Sequence, residues 1–272
     1  MYTRSLDRGH PGCIVFLLDR SGSMTDPFAG GPGSKALALA NAVNRLLRNL
    51  ILLCQRGDTI RPYFHIGIIG YGETVGSLFG GELAGHVLVP LDVLAAHPLR
   101  FVRETVPGRT DVGVDLPIWV EPYGSRGTPM SAALDLAGAT VVEWANSNYD
   151  SFPPIVINVT DGEATDGDPR PLADQLRGIV TADGALLLFN SHLSDRNDQS
   201  LQFPHAPQLL PDEFARTLFD MSSELPPRMV SVARGLNIPI NDGARGFTFN
   251  SDAAALAEFL DVGTPTWLVA DR

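Results

Sequence analysis

The chain runs to 272 residues, 44% of them hydrophobic, which is enough apolar material for a sizeable core. Acidic residues number 31 against 20 basic ones, so the formal net charge is −11. That balance argues against a nucleic-acid backbone or an anionic membrane surface as the partner. No linker, repeat or low-complexity tract divides the sequence, and we expect one domain across 1–272, with its core at about 12–262.

The opening, Met1-Tyr2-Thr3-Arg4-Ser5-Leu6-Asp7-Arg8, has no apolar core of the kind a signal peptide needs. No segment reads as a membrane span, and the expected location is the cytoplasm. Cys13 and Cys54 stand in apolar company and read as two buried thiols. Cys13-Ile14-Val15-Phe16-Leu17-Leu18 is a continuous apolar run, the pattern of a strand covered on both faces in a parallel sheet. Asp19-Arg20-Ser21-Gly22-Ser23 follows directly, at the carboxyl end of that strand, where open α/β sheets place their ligand sites. Asp19, Ser21 and Ser23 offer oxygens at alternate positions, and Gly22 permits the tight turn that lets them converge. Oxygen-only ligands suit a hard divalent cation, which hydroxyls leave poorly neutralised. An Asp/Ser turn capping the next helix uses the same residue types.

Gly30-Gly31-Pro32-Gly33-Ser34-Lys35 looks like a phosphate loop but lacks a Lys directly after Gly with a hydroxyl next. It reads as a flexible cover beside the candidate cation site. Ser34 caps a helix to about residue 55, with Leu39, Val43, Leu46, Leu47, Leu50 and Leu53 at helical spacing. Asn41, Asn44, Arg45 and Arg48 lie elsewhere on the wheel, and Arg56-Gly57 supplies the stop. A strand is expected over 63–70 and a short edge strand over 85–91. The stretch 92–123, with Pro98, Pro107, Pro117 and Pro122, is the least regular part, a surface excursion with some helix at 97–104. Tyr123-Gly124-Ser125-Arg126-Gly127 is a turn leading into Thr128-Pro129-Met130, where Pro129 suits a first helical turn. Met130, Ala133, Leu134, Ala137, Val141 and Trp144 form the buried stripe of that helix.

Ile155-Val156-Ile157-Asn158-Val159-Thr160 is a second buried run, ended by Asp161 and Gly162. The acidic segment 161–168 is a poor calcium loop, because Gly is missing from its sixth position and Leu172 stands where a bidentate Glu belongs. Asp161 reads as a metal acid, Asp168 as the cap of a helix from 169 that Asp183-Gly184 closes, and Glu163 and Asp166 as solvated. A strand at 185–190, a long polar loop with Pro204, Pro207 and Pro211, and helices near 212–221 and 227–235 follow. Phe247-Thr248-Phe249 is a last short strand, and Ser251 or Asp252 caps a final helix to 261. Strands alternating with helices imply an α/β fold, a doubly wound and mostly parallel sheet with helices on both faces. His10, His65, His86, His97, His192 and His205 show no ligand spacing, with His65 packed inside a strand. No Ser sits in a Gly-x-Ser-x-Gly elbow.

Asp19, Ser21 and Ser23, then Thr128, then Asp161 resemble, in order, the metal-ion-dependent adhesion site of the von Willebrand factor A family. The resemblance implies a strand order of 3-2-1-4-5-6, about six strands with one short antiparallel edge. It also implies a divalent ion, Mg²⁺ with Mn²⁺ or Ca²⁺ as substitutes, contacted by Ser21, Ser23 and Thr128 directly and by Asp19 and Asp161 often through water. Such a site docks a carboxylate of a partner protein and contains no nucleophile, acid or base, so no enzyme is expected. Thr160-Asp161-Gly162-Glu163-Ala164-Thr165-Asp166, Gly246-Phe247-Thr248-Phe249-Asn250 and the chain length are similar to the bacterial TerY-type members, encoded in tellurium-resistance and stress-response clusters. That similarity implies a kinase- or phosphatase-like partner. The alternative is a magnesium-dependent phosphohydrolase of haloacid-dehalogenase type, with Asp19 as nucleophile and Asp161, Asp166 or Asp168 as later magnesium acids. Those enzymes need a second Asp two places on as general acid, and Ser21 cannot readily shuttle a proton near neutral pH.

Overall fold

The computed structural model describes residues 1–28, 33–106, 109–193, 200–264 and 269. In chain order the main elements are β1 (Gly12–Asp19), α1 (Lys35–Cys54), β2 (Phe64–Tyr71), β3 (Val75–Ser77), β4 (Leu88–Pro90), α2 (Leu91–Ala96), β5 (Arg100–Val106) and β6 (Arg109–Ile118). They continue with α3 (Met130–Ser147), β7 (Ile155–Thr160), α4 (Arg170–Arg177), β8 (Leu187–Leu193), β9 (Leu201–Gln202), α5 (Glu213–Met221), α6 (Pro227–Gly235), β10 (Phe247–Ser251) and α7 (Ala253–Gly263). Three helix starts are fixed by side-chain caps, those at Ser34 and Asp252 as the sequence suggests. Ser34, Asp212 and Asp252 each accept a bond from the backbone N–H three residues on, those of Leu37, Ala215 and Ala255.

Eight strands form one sheet in the order β9-β10-β8-β7-β1-β2-β3, with β4 also paired to β2. β1 runs parallel to β2 and β7, and β8 parallel to β7 and β10. β3, β4 and β9 are antiparallel additions at the two edges. With β3 and β4 taken as the outer strand and β9 set aside as an addition beyond β10, the order 3-2-1-4-5-6 is observed and the fold is α/β as expected, but the sheet has eight strands where about six were expected and three antiparallel edge strands where one was. β1 is buried throughout because its side chains alternate between two helical layers. Ile14, Phe16 and Leu18 join the core beneath α1 and α7, while Cys13, Val15 and Leu17 join the one beneath α3 and α4. Both thiols, Cys13 and Cys54, are free and buried. The polar ends of β1 and β7 therefore emerge side by side on the rim where their apolar residues run out.

Several local expectations are corrected. By length and composition, the 20-residue α1 could cross a membrane, contrary to the expectation of no such segment. Its stripe of Leu39, Val43, Leu46, Leu47 and Leu50 instead packs in the core. Asn44 is not on a solvent face. It is buried, accepts from the backbone N–H groups of Trp119 and Val120 at 2.9 and 3.0 Å, and donates to the Val120 carbonyl at 2.8 Å. Residues 97–104 are not helical: α2 ends at Ala96, and β5 pairs with β6 as a separate two-stranded ladder. Pro117 sits opposite Phe101 there, tolerated because a two-stranded ladder leaves outward N–H groups unused. α4 ends at Arg177, well before Asp183-Gly184, and Val180–Thr181 pairs with Gly184–Ala185 in a tight ladder. Of the expected cover over 30–35, residues 30–32 lie outside the described residues, as do 194–199 of the long polar loop, while Ser34 and Lys35 belong to the start of α1.

Candidate metal centre

Asp19 is the last residue of β1 and only 1% exposed. Its Oδ1 accepts from the Ser21 backbone N–H at 2.7 Å, closing the turn that Gly22 continues into a single helical turn. Its Oδ2 accepts from Thr160 Oγ1, at the end of β7, at 2.6 Å. Burial pushes the Asp19 carboxyl up to about 6, opposed by the bonds from Thr160 and Ser21, while the Asp161 charge adds to the rise.

Ser21 and Ser23 point forward from that turn, their Oγ atoms 3.0 Å apart. Both donate to one atom of the opposite loop, Asp161 Oδ1, at 3.3 Å from Ser21 and 2.8 Å from Ser23. Four of the five candidate residues thus meet, although Asp161 is 140 residues from Ser21 in the chain. Thr128 is the fifth, and 6% exposed. A Cβ placed on Gly162 would lie 3.9 Å from Thr128 Oγ1, so this hydroxyl faces the Asp161 loop. Among the described residues Thr128 Oγ1 has no hydrogen-bond partner.

The Thr128 loop is held by backbone rather than by bulk. Ser125 N–H donates to the Arg20 carbonyl at 2.6 Å, and Ser125 Oγ accepts from Glu73 N–H at 3.0 Å. The Arg20 guanidinium lies 4.0 Å over the ring of Tyr123. Gly124 fits where a Cβ would come within 2.5 Å of the Thr25 methyl, and Gly127 has φ +76°. Thr128 and Thr165 then lock two loops together. Thr128 N–H donates to Thr165 Oγ1, and Thr165 N–H donates to the Thr128 carbonyl, both at 3.0 Å.

Two residues of the site were not found from the sequence. Asp166, read there as solvated, caps α3 from outside: its two oxygens accept from Ser131 N–H at 3.1 Å and Ala132 N–H at 2.9 Å. The cap position of α3 itself is Pro129, which offers no side-chain acceptor, and that vacancy was the available signal. Lys35, the first residue of α1, sends its Nζ to Asp161 Oδ2 at 2.7 Å, with the two side chains 5% and 0% exposed. Nothing in the spacing marked it as part of the rim. Asp168 is not the cap itself: α4 starts at Arg170 with Pro169 in the cap position, and Asp168, one place before it, accepts from the Arg170 N–H at 3.0 Å.

In donor type the rim fits a hard divalent ion: two carboxylates and three hydroxyls, all oxygen. No group of three His, Cys, Asp or Glu gathers among the described residues, so the thiolate and imidazole sets that zinc favours do not arise there.

No protein-family model matches the chain, and no curated protein matches it. Among solved structures it is similar to proximal thread matrix protein 1 from the mussel byssus, at 12% identity and TM-score 0.48, covering 97% of this chain and 49% of that one. A form of the same protein with a zinc-occupied metal-ion-dependent adhesion motif gives TM-score 0.49 at 12% identity, with the same coverage, 97% and 49%. The von Willebrand factor domain of the type V pili tip protein Mfa5 from Porphyromonas gingivalis gives TM-score 0.34 at 13% identity, covering 57% of this chain and 39% of that one. The chain thus spans about half the length of the mussel structures it matches.

Proposed function

We propose that Asp19, Ser21, Ser23, Thr128 and Asp161 form a divalent-cation site through which the chain docks an Asp or Glu of a partner protein. The ion is Mg²⁺, with Mn²⁺ or Ca²⁺ as substitutes. The observation that carries this reading is the convergence of Ser21 Oγ and Ser23 Oγ on Asp161 Oδ1, beside a hydroxyl of Thr128 with no partner of its own. An ion held there would offer a partner carboxylate a coordination position in a partly desolvated place. Asp19 sits behind and braces the turn through Ser21 N–H. Thr165 and Asp166 fix the height of the Thr128 loop against the Asp161 loop.

The chain is read as a binding module and not an enzyme. A phosphohydrolase would need Asp19 to present a free oxygen, but both its oxygens are engaged and the residue is 1% exposed. Two places on stands Ser21, whose hydroxyl is a weak proton shuttle. A cytoplasmic, single-domain protein of a bacterial stress-response cluster, with a kinase- or phosphatase-like partner, is the setting we propose from the sequence resemblance. It involves neither nucleic acid nor membrane.

Isothermal titration tests the metal. Mg²⁺ should bind the wild-type chain at one site, and Ser23→Ala and Thr128→Ala should each weaken it by roughly tenfold or more, as loss of one ligand does. Absence of Mg²⁺, Mn²⁺ and Ca²⁺ binding at millimolar concentration would overturn the site. Partner capture that survives a chelator would move the interface elsewhere. Metal-dependent release of phosphate from a generic ester, lost in Asp19→Asn, would replace the module with the hydrolase.

A further inference from the structure

Lys35 is the feature of the rim that the cation reading does not absorb. Lysine is rarely buried without a partner, because its ammonium loses hydration that only an opposite charge restores. Here the side chain is 5% exposed and its Nζ meets Asp161 Oδ2 at 2.7 Å, while Asp161 itself is fully buried at its side chain. The other oxygen of the same carboxylate collects the Ser21 and Ser23 hydroxyls. Asp161 therefore serves two masters, a fixed ammonium on one oxygen and the hydroxyl pair on the other.

The position of Lys35 is set by backbone and not by chance of rotamer. Its N–H donates to the Asp26 carbonyl at 3.1 Å, Phe28 N–H donates to the Gly33 carbonyl at 3.0 Å, and Pro27 bridges Ser34. Together these tie the start of α1 to the end of the Ser21–Ser23 turn. The nearest other cation of that turn, Arg20, is turned away over Tyr123.

We propose that Lys35 is a built-in cation of this site, which competes with the divalent ion for Asp161 and so sets the site's metal affinity. The inference rests on the cation reading above and deepens it. Without a divalent ion, the ammonium keeps Asp161 neutralised and the three loops together. A bound ion must displace that ammonium from Asp161, and so binds more weakly than the same oxygens would allow. The site is thereby tuned to respond to changes in divalent-ion concentration rather than to stay permanently loaded.

Two measurements test this. In the first, Mg²⁺ is titrated calorimetrically into wild type, Lys35→Met and Lys35→Arg. Lys35→Met keeps the length and apolar stem but removes the charge, and should bind Mg²⁺ roughly tenfold or more tightly, the scale on which one unit charge within ~4–6 Å shifts proton binding. Lys35→Arg should stay near wild type. Equal or weaker binding in Lys35→Met while wild type still binds would overturn the role of Lys35 and leave the metal site standing. No binding in either would overturn both.

The second needs no variant and is immune to a folding defect. Wild-type protein is acetylated with an N-hydroxysuccinimide ester, with and without saturating Mg²⁺, and the Lys35 peptide is followed by mass spectrometry. Release from Asp161 should raise the labelling rate of Lys35 when Mg²⁺ is present. A rate that Mg²⁺ leaves unchanged or lowers, in protein shown by calorimetry to bind Mg²⁺, would overturn the competition.

Discussion

Asp166 offers the sharpest test of how the rim is held, because it is a surface residue that touches no candidate ligand. Its carboxylate accepts from Ser131 N–H and Ala132 N–H, two of the orphan donors in the first turn of α3, at 3.1 and 2.9 Å. Replacing it with Ala removes a cap and a negative charge at a helix N-terminus. A cap alone is worth about 1 kcal/mol, and a charge near the helix N-terminus about 0.3–1 kcal/mol. Because water can reach this exposed turn, a total loss of about 1–2 kcal/mol is expected for Asp166→Ala. For a chain of this size that is a fall in Tm of roughly 2–4 °C, read by thermal denaturation in chelator. The same change loosens the Thr128–Thr165 clasp, so Mg²⁺ affinity measured by calorimetry should fall severalfold, while Asp166→Asn, keeping one acceptor, should recover part of both losses. A Tm within about 1 °C of wild type, with unchanged Mg²⁺ binding, would refute the claim that this carboxylate positions the Thr128 loop.

Asp19→Asn keeps an acceptor for Ser21 N–H and discards a charge whose burial is unfavourable. In chelator at pH 7.5 its Tm should rise, and the stabilisation that Mg²⁺ gives wild type should vanish; a large fall in Tm would show that the charge itself holds the turn. His65 supplies a pH dependence away from the rim. Burial holds its imidazole below the ordinary value, opposed by Asp92, and its Nδ1 accepts from Trp144 Nε1 at 2.6 Å, so protonation would set two donors face to face. The unfolded chain takes up this proton near pH 6.5 and the native chain only lower, so its stabilising contribution is complete above about 6.5 and is lost as pH falls. Urea melts between pH 7.5 and 5 should lose less stability in His65→Gln than in wild type, and equal losses would refute it.

The sheet was legible because its strands announce themselves locally. Cys13 to Leu18 is apolar at every position and Ile155 to Val159 at all but Asn158, a pattern that a doubly covered strand requires, and each run is followed at once by Asp or Thr. Asp19, Ser21, Ser23 and Asp161 were legible for the same reason, since they follow buried strands directly, whereas Thr128, in the loop before α3, was reached through the family resemblance. The misses share a different cause. Asn44 falls on the polar side of the α1 wheel by type, yet it substitutes for a strand partner to Trp119 and Val120, a contact that only the tertiary fold creates. The β5–β6 ladder was hidden by prolines, which forbid central strands but not one at a free edge. Asp166 and Lys35 act across 35 and 126 residues respectively, and periodicity carries no information about such pairs.

Lys35 also changes what the rim can do. Asp19 and Asp161 with one ammonium leave the cluster one charge negative, and under the proposed reading a divalent ion turns it one charge positive. The chain as a whole carries −11, so under the same reading an acidic partner is repelled by the protein's average field and attracted by this spot. At physiological ionic strength that average field fades within about 8 Å, whereas a partner carboxylate in contact with the rim meets the local charge almost unscreened. Docking would then depend on the loaded site rather than on long-range steering. An unloaded rim gives an acidic partner no reason to stay, and the Lys35 ammonium, whose backbone is tied to the end of the Ser21–Ser23 turn, remains a positive charge beside the rim even when the ion has taken Asp161 from it.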